Sequence, residues 1–83
     1  MGKKIYTNQT SLHVVSKNDL KNILTNHSLW LNSGETEGEP ANLAGYNLRG
    51  VVLLGENLKK ANLRGAYLYG AYLKNANLEQ ANL

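Results

Sequence analysis

A leucine stands at every fifth position from residue 43 to residue 83 of the sequence. The series is Leu43, Leu48, Leu53, Leu58, Leu63, Leu68, Leu73, Leu78 and Leu83. In an α-helix a step of five residues turns the chain by about 140° net, so successive leucines would point in all directions. In a flat β-strand an odd step places successive leucines on opposite faces. The leucines can share one interior only if the chain bends once per repeat, always in the same sense, and the period therefore predicts a solenoid.

The residues around each leucine suit such a bend. Two residues after a leucine the chain carries Gly45, Gly50, Gly55, Lys60, Gly65, Gly70, Asn75 and Gln80. Glycine and asparagine are the residues that tight turns favour. Two residues before a leucine the chain often carries alanine, which suits a narrow interior. Turns stacked about 4.8 Å apart can hydrogen-bond like strands. The period alone does not fix how many repeats complete one turn.

Two repeats carry a family resemblance. Ala61-Asn62-Leu63-Arg64-Gly65 and Ala76-Asn77-Leu78-Glu79-Gln80 resemble the A-(N/D)-L-x-x motif of the pentapeptide-repeat family. The resemblance covers residues 41–83 and implies an all-β solenoid, a right-handed quadrilateral β-helix of about two coils with leucine and alanine inside. Each residue would then lie over the residue twenty positions later. Most members of this family have no assigned activity, so the resemblance describes the fold better than the function.

Glu56 fits this pattern least, because it stands where most repeats have an inward-facing alanine. Burying a lone carboxylate costs several kcal/mol. We expect its head to turn outward or to pair with Lys60, and a functional carboxylate is the alternative. Tyr46 and Val51 also replace alanine in the first coil. We therefore expect this coil to be less regular, because it meets a cap.

Residues 1–40 are predicted to form an N-terminal α-helical cap on the repeat region 41–83. Ser16 is a helix N-cap candidate, with the acidic Asp19 in the first turn. Leucine, isoleucine and histidine then recur at three- and four-residue steps, which predicts an amphipathic helix over about 17–31. An acidic loop follows over 32–40, and residues 5–15 could form a short hairpin. The segment 24–43 also resembles the leader before the repeats of many family members.

Composition excludes several kinds of chemistry. The chain has no cysteine, so it can form neither a disulfide nor a cysteine-ligated zinc site. Its only histidines are His13 and His27. Asp19, His27 and Ser28 could be assembled on paper into a catalytic triad, but nothing supplies an oxyanion pocket. His27 is better explained as a cap residue. We predict no enzymatic activity, no cofactor and no metal.

The sequence also lacks membrane and export signals. No apolar run approaches the roughly 18 residues that a membrane span needs. The basic start, Met1-Gly2-Lys3-Lys4, is not followed by the apolar segment of a signal peptide. We therefore expect a cytoplasmic protein.

The formal charge of +3 lies wholly in residues 41–83, since residues 1–40 are balanced. The basic residues of the second half are Arg49, Lys59, Lys60, Arg64 and Lys74. With tyrosine stacking they could bind nucleic acid weakly, which is the alternative to protein binding. Some family members resemble duplex DNA and bind gyrase, but that role needs a long acidic rod, and this one is short and basic.

Outward positions of the repeats predict an interaction surface for an unidentified protein. Its residues are Arg49, Val52, Leu54, Tyr67, Tyr69, Tyr72 and Lys74. Tyr69 would lie over Arg49 as a cation–π pair. Exposed apolar patches often mark interaction sites. Two alternatives are that the N-terminal hairpin covers Val52 and Leu54, or that tyrosine merely suits a strand.

The last coil predicts a second surface, because within this sequence no further repeat covers it. Its residues are Ala66, Leu68, Ala71, Leu73, Ala76, Leu78, Ala81 and Leu83. Either the sequence is part of a longer rod, or two chains pair end to end, since two-fold pairing is the commonest closure. We expect a homodimer through residues 66–83.

Overall fold

The computed structural model describes residues 13–83, and its repeats pair in parallel at a spacing of twenty residues. Bridges join Asn42 to Asn62, Asn47 to Tyr67, Val52 to Tyr72, Asn57 to Asn77, and Asn62 to Asn82. Backbone hydrogen bonds follow the same spacing, such as Leu53 N–H to Tyr72 O at 2.8 Å and Tyr72 N–H to Val51 O at 2.9 Å. Residues 41–60 form the first level and residues 61–80 the second. The bridged residues are therefore four repeats apart.

The regular secondary structure of the described residues consists of two short strands and one helix. A strand, β1, spans His13–Val14, a helix, α1, spans Lys17–Asn32, and a second strand, β2, spans Tyr46–Asn47. Most repeats contribute a single bridged residue instead of a longer strand. The reason is the turn in every repeat, which leaves little extended backbone between bends.

The bends lie two residues after each leucine, as the sequence predicts. Every such position from residue 45 to residue 80 has a positive φ, including the non-glycines Lys60 at 67°, Asn75 at 65° and Gln80 at 60°. Left-handed backbone costs a residue with a Cβ roughly 1–2 kcal/mol. The solenoid geometry therefore overrides local preference at Lys60 and Gln80, whereas asparagine tolerates this region better.

Asparagine side chains just before several of the leucines stabilise the turns by accepting backbone hydrogen bonds. The Asn42 side-chain oxygen accepts from Ala44 N–H at 3.2 Å, and the Asn62 oxygen accepts from Arg64 N–H at 3.0 Å. Asn47, Asn57 and Asn77 do the same for the residue two positions later. These asparagines satisfy backbone donors that the bend would otherwise leave without a partner.

The leucines of the first level, together with Leu63, form the core. Leu43, Leu48, Leu53 and Leu58 are fully inaccessible to solvent, and Leu63 nearly so. Burial of each leucine side chain contributes roughly 1.5–3 kcal/mol. The later leucines of the series are less buried. Leu68, Leu73 and Leu78 are half-buried and Leu83 is 66% exposed, because no described residue lies over residues 66–83.

Helix α1 covers the other end of this core. Ser16 accepts from Asp19 N–H at 3.0 Å and caps the helix start. Leu20, Ile23 and Leu24 recur on one helical face and pack against the buried leucines of the first level. The helix ends at Asn32, one residue beyond the predicted range. The division into a cap over 1–40 and a repeat region over 41–83 stays a prediction.

His27 joins α1 to the repeats by two hydrogen bonds. Its Nδ1 accepts from Ala41 N–H at 2.8 Å, and its Nε2 lies 2.9 Å from the Lys59 carbonyl oxygen. Since Nδ1 accepts and Nε2 faces an acceptor, the ring is assigned as neutral imidazole with its proton on Nε2. The side chain is fully buried and stacks at 5.7 Å from the Trp30 ring.

Strand β1 continues the parallel stacking beyond the first level. His13 pairs with Tyr46 and Val14 with Asn47, and the His13 and Tyr46 rings lie 5.3 Å apart. The predicted hairpin over 5–15 lies largely outside the described residues. Within the described residues, His13–Val14 pairs in parallel with β2, which is distant in the sequence.

Among the described residues, Glu56 does not form the pair with Lys60, which is one of the two outcomes expected for its carboxylate. Lys60 instead binds the carboxylate of Glu35, in the loop after α1, with Nζ and Oε2 2.5 Å apart. Glu56 is half-buried and lines a groove of about 420 Å³ beside α1, where Lys17 and Lys21 also lie. The helix brings Lys17 and Lys21 to the side of the first level where Glu56 lies.

Candidate interaction surface

Pairing at a spacing of twenty residues stacks the repeats two by two, and we call each stacked pair a face. Face 1 comprises residues 41–45 and 61–65, face 2 residues 46–50 and 66–70, face 3 residues 51–55 and 71–75, and face 4 residues 56–60 and 76–80. In each repeat the alanine and leucine positions face inward, and the residue between them faces outward. The chemistry of each face is therefore set by its outward positions.

Exposed apolar side chains are concentrated on faces 2 and 3. Among residues 13–83, the large exposed apolar side chains are Val14, Leu29, Val52, Leu54, Tyr67, Tyr69, Tyr72 and Leu83. All except Leu29 and Leu83 lie on these two faces or directly over them. We call the apolar surface the set of residues on or over these two faces together with two basic neighbours: Val14, Val52, Leu54, Tyr67, Tyr69, Tyr72, Arg49 and Lys74. Faces 1 and 4 present mainly asparagine and charged residues.

Val14 belongs to this surface although sequence reasoning missed it. Its pairing with Asn47 places it in the column that continues to Tyr67, and it is 77% exposed. Neighbours in register across paired strands point to the same side of a sheet. The five-residue period begins only after this segment, so no signal in the repeats could have placed Val14 there.

Arg49 and Tyr69 form the predicted cation–π pair. The Arg49 Cζ lies 5.7 Å from the Tyr69 ring centroid, and Tyr69 is 80% exposed. Because residues twenty apart are neighbours, Arg49 in the first level lies beside Tyr69 in the second. Such a contact contributes about 0.5–1 kcal/mol at an exposed site. The contact places the guanidinium beside an exposed ring of face 2.

The basic residues of the repeats do not gather on one face. Arg49 and Lys74 border the apolar surface, whereas Arg64 lies on face 1. Lys59 and Lys60 lie on face 4, where Lys59 is 4.0 Å from a carboxylate oxygen of Glu79 and Lys60 is paired with Glu35. The positive charge is therefore dispersed around the repeats and partly neutralised.

The end of the second level presents the predicted pairing surface. Its half-buried members are Ala66, Leu68, Ala71, Leu73, Ala76, Leu78 and Ala81, and Leu83 is exposed. In the first level, Leu48 and Leu53 donate their N–H groups to Tyr67 and Tyr72. Within residues 13–83, the N–H groups of Leu68 and Leu73 have no such partner. An apolar face and an open strand edge therefore coincide here.

The residues considered for catalysis and metal binding are placed elsewhere. Both ring nitrogens of His27 are occupied by backbone groups, so neither is free to activate the neighbouring Ser28 hydroxyl. His13 lies on β1, stacked on Tyr46. Across the part of the chain that the structure describes, no three histidine, aspartate or glutamate side chains gather as metal ligands would.

Comparison with known families agrees with this geometry. Residues 41–80 match the family model described as Pentapeptide repeats, in eight copies. The chain is a pentapeptide-repeat protein. Neither a curated protein nor a solved structure matches it.

Pentapeptide repeats imply a β-helix solenoid, which agrees with the parallel pairing at twenty-residue spacing. Proteins with these repeats are generally not enzymes, and the repeats are typical of interaction modules. Within residues 13–83, no helix has both the length and the apolar character for crossing a membrane.

Proposed function

We propose that this pentapeptide-repeat protein is a non-enzymatic module that binds a protein partner through its apolar surface. The observation that carries the proposal is the segregation of exposed apolar side chains to faces 2 and 3. Exposed clusters that join tyrosine, aliphatic residues and arginine are typical of protein interfaces. Tyrosines placed by paired backbone also lose little entropy on binding.

The test removes the aromatic rings without touching the core. Tyr67, Tyr69 and Tyr72 are all exposed, so the triple change to serine is expected to keep the thermal unfolding midpoint and lose the captured partner. Capture from cells of the source organism, compared by quantitative mass spectrometry, identifies proteins that depend on these rings. The same binding is then measured with the purified partner.

A matched triple variant changes the polar faces instead. Lys59→Ser, Arg64→Ser and Glu79→Ser alter three outward side chains on faces 1 and 4. This variant is expected to keep the partner. Equal capture by the tyrosine variant and the parent chain would contradict the proposal.

We also propose that the end of the second level pairs two copies of the 83-residue chain. Half-buried leucines and unpaired backbone groups among the described residues support this. Sedimentation at low micromolar concentration is expected to give a dimer, and a monomer alone would contradict it.

We infer that the repeats form a right-handed, quadrilateral β-helix of about two coils. We also infer that the protein lies in the cytoplasm.

Weak nucleic-acid binding is the second candidate function. The Arg49–Tyr69 pair favours it, because a base could stack on the exposed ring beside a guanidinium. The spread of Lys59, Lys60 and Arg64 over other faces speaks for protein instead. Binding to single-stranded DNA or RNA that weakens steeply with salt would support this candidate.

A further inference from the structure

A concave site adjoins the apolar surface where the cap meets the corner of faces 2 and 3. It has a volume of about 300 Å³ and an apolar lining from Val15, Leu20, Val51 and Val52. Lys17 and Arg49 also line it. We call it the corner groove. It opens beside Val52, which is 60% exposed. A partner side chain can be enclosed in this groove.

The backbone beside the groove has an unused strand edge. Val51 O and Leu53 N–H bond to Tyr72 at 2.9 and 2.8 Å, so the N–H and C=O of Val52 point the other way, toward the cap. No described residue bonds to either of these two groups. An exposed edge of this kind is a template for another strand.

The neighbouring face shows how such an edge is covered. On face 2 the corresponding edge carries β1, with Val14 paired to Asn47 in parallel. The chain then leaves the edge at Val15 and enters α1 at Lys17. Strand addition therefore stops one face before Val52, and the position after it stays open among the described residues.

The charges at the groove have one sign. Lys17 and Arg49 both line it, and no acidic side chain does. Arg49 also contacts the Tyr69 ring, with its Cζ 5.7 Å from the ring centroid. A carboxylate on an incoming segment would therefore meet two cations.

We propose that the corner groove binds an extended acidic segment of a protein partner. The segment adds as a strand to the Val52 edge, places one aliphatic side chain in the groove, and directs a neighbouring carboxylate to Lys17 and Arg49. Strand addition of this kind takes its affinity from main-chain hydrogen bonds and its specificity from alternate side chains. This inference rests on the proposed protein-binding function and names the chemistry of the partner segment.

The probe is a short synthetic peptide that alternates glutamate with valine and has blocked ends. Titrated into the isotope-labelled chain, it is expected to shift the amide signals of Gly50, Val51 and Val52 and to slow hydrogen exchange at the Val52 amide. A peptide with lysine in place of glutamate is expected to leave these signals unchanged.

A pair of charge variants on α1 tests the groove itself. Lys17→Glu is expected to weaken the glutamate–valine peptide about fivefold, the order of an exposed ion pair. Glutamate in the first turn of a helix suits its dipole, so folding is preserved. Lys21→Glu makes the same charge change on the same helix, outside the corner groove, and is expected to leave binding within about twofold.

Four results would overturn the inference. Equal binding of the lysine peptide removes the acidic preference, and signal shifts that grow with protein concentration alone identify a second copy as the occupant. The same shifts with single-stranded DNA identify a nucleic acid. Loss of the captured partner in the tyrosine variant, with no effect of Lys17→Glu, would leave the proposed function standing and remove only the corner groove.

Discussion

Two backbone groups depend on one imidazole, a buried one at Ala41 and a partly buried one at Lys59. Ala41 N–H and Lys59 C=O lie where the first level meets the cap, and His27 satisfies both. An apolar side chain would fill the same space but leave both groups without a partner. The sequence placed His27 on the inward face of the cap helix, but periodicity could not show which backbone groups it meets. They lie 14 and 32 residues away along the chain.

We expect His27→Phe to lower the free energy of unfolding by roughly 2–4 kcal/mol, because each unsatisfied buried group costs about 1–3 kcal/mol. Urea unfolding followed by circular dichroism measures the change. His13→Phe is the control, since that histidine is exposed. A change of less than about 0.5 kcal/mol for His27→Phe would show that these bonds do not hold the cap.

At the scale of the element, the loop after α1 depends on one glycine. Gly38 has φ +71°, and a Cβ there would lie 2.9 Å from the backbone nitrogen of Trp30 and would also clash with the backbone carbonyl oxygen of Asn26. The loop therefore packs against the helix backbone. Gly34 has the same conformation, with φ +73°, but a Cβ there would meet nothing within 4 Å.

This pair separates packing from conformation. Gly34→Ala is expected to cost about 1–2 kcal/mol, the penalty of left-handed backbone alone. Gly38→Ala has the same backbone penalty, and its Cβ would also clash with the helix backbone. The thermal unfolding midpoint of this variant is therefore expected to lie below that of Gly34→Ala. Equal midpoints for the two variants would mean that the loop does not pack on α1 as described.

Local elements were predictable where a single segment decides them. Ser16, Asp19 and the apolar spacing after them indicate α1 because capping and amphipathicity are local signals. The partner of β1 was not predictable, because the pairing of Val14 with Asn47 joins segments more than 30 residues apart. The Lys60–Glu35 pair was missed for the same reason.

At the scale of the whole molecule, the repeat converts sequence order into surfaces. Side chains twenty residues apart become neighbours, so tyrosines at 67, 69 and 72 join Arg49 and Val52 into one apolar surface. The sequence was sufficient for this part, since the period and the resemblance together specify which residues stack. The corner groove was not predictable, because it forms only where α1 crosses a corner of the repeats.

The most direct measurement joins Val52 to Tyr72 by a disulfide. The chain has no cysteine, so Val52→Cys with Tyr72→Cys introduces one defined pair. Paired strands bring such Cα atoms to about 4.8 Å, within the range that a disulfide spans. Mild oxidation is expected to link this pair within one chain rapidly, and to link Val52→Cys with Asn77→Cys slowly or not at all. Equal linking of both cysteine pairs, or no linking of the first pair, would contradict the stacking. The fold, the apolar surface and the corner groove all depend on this stacking.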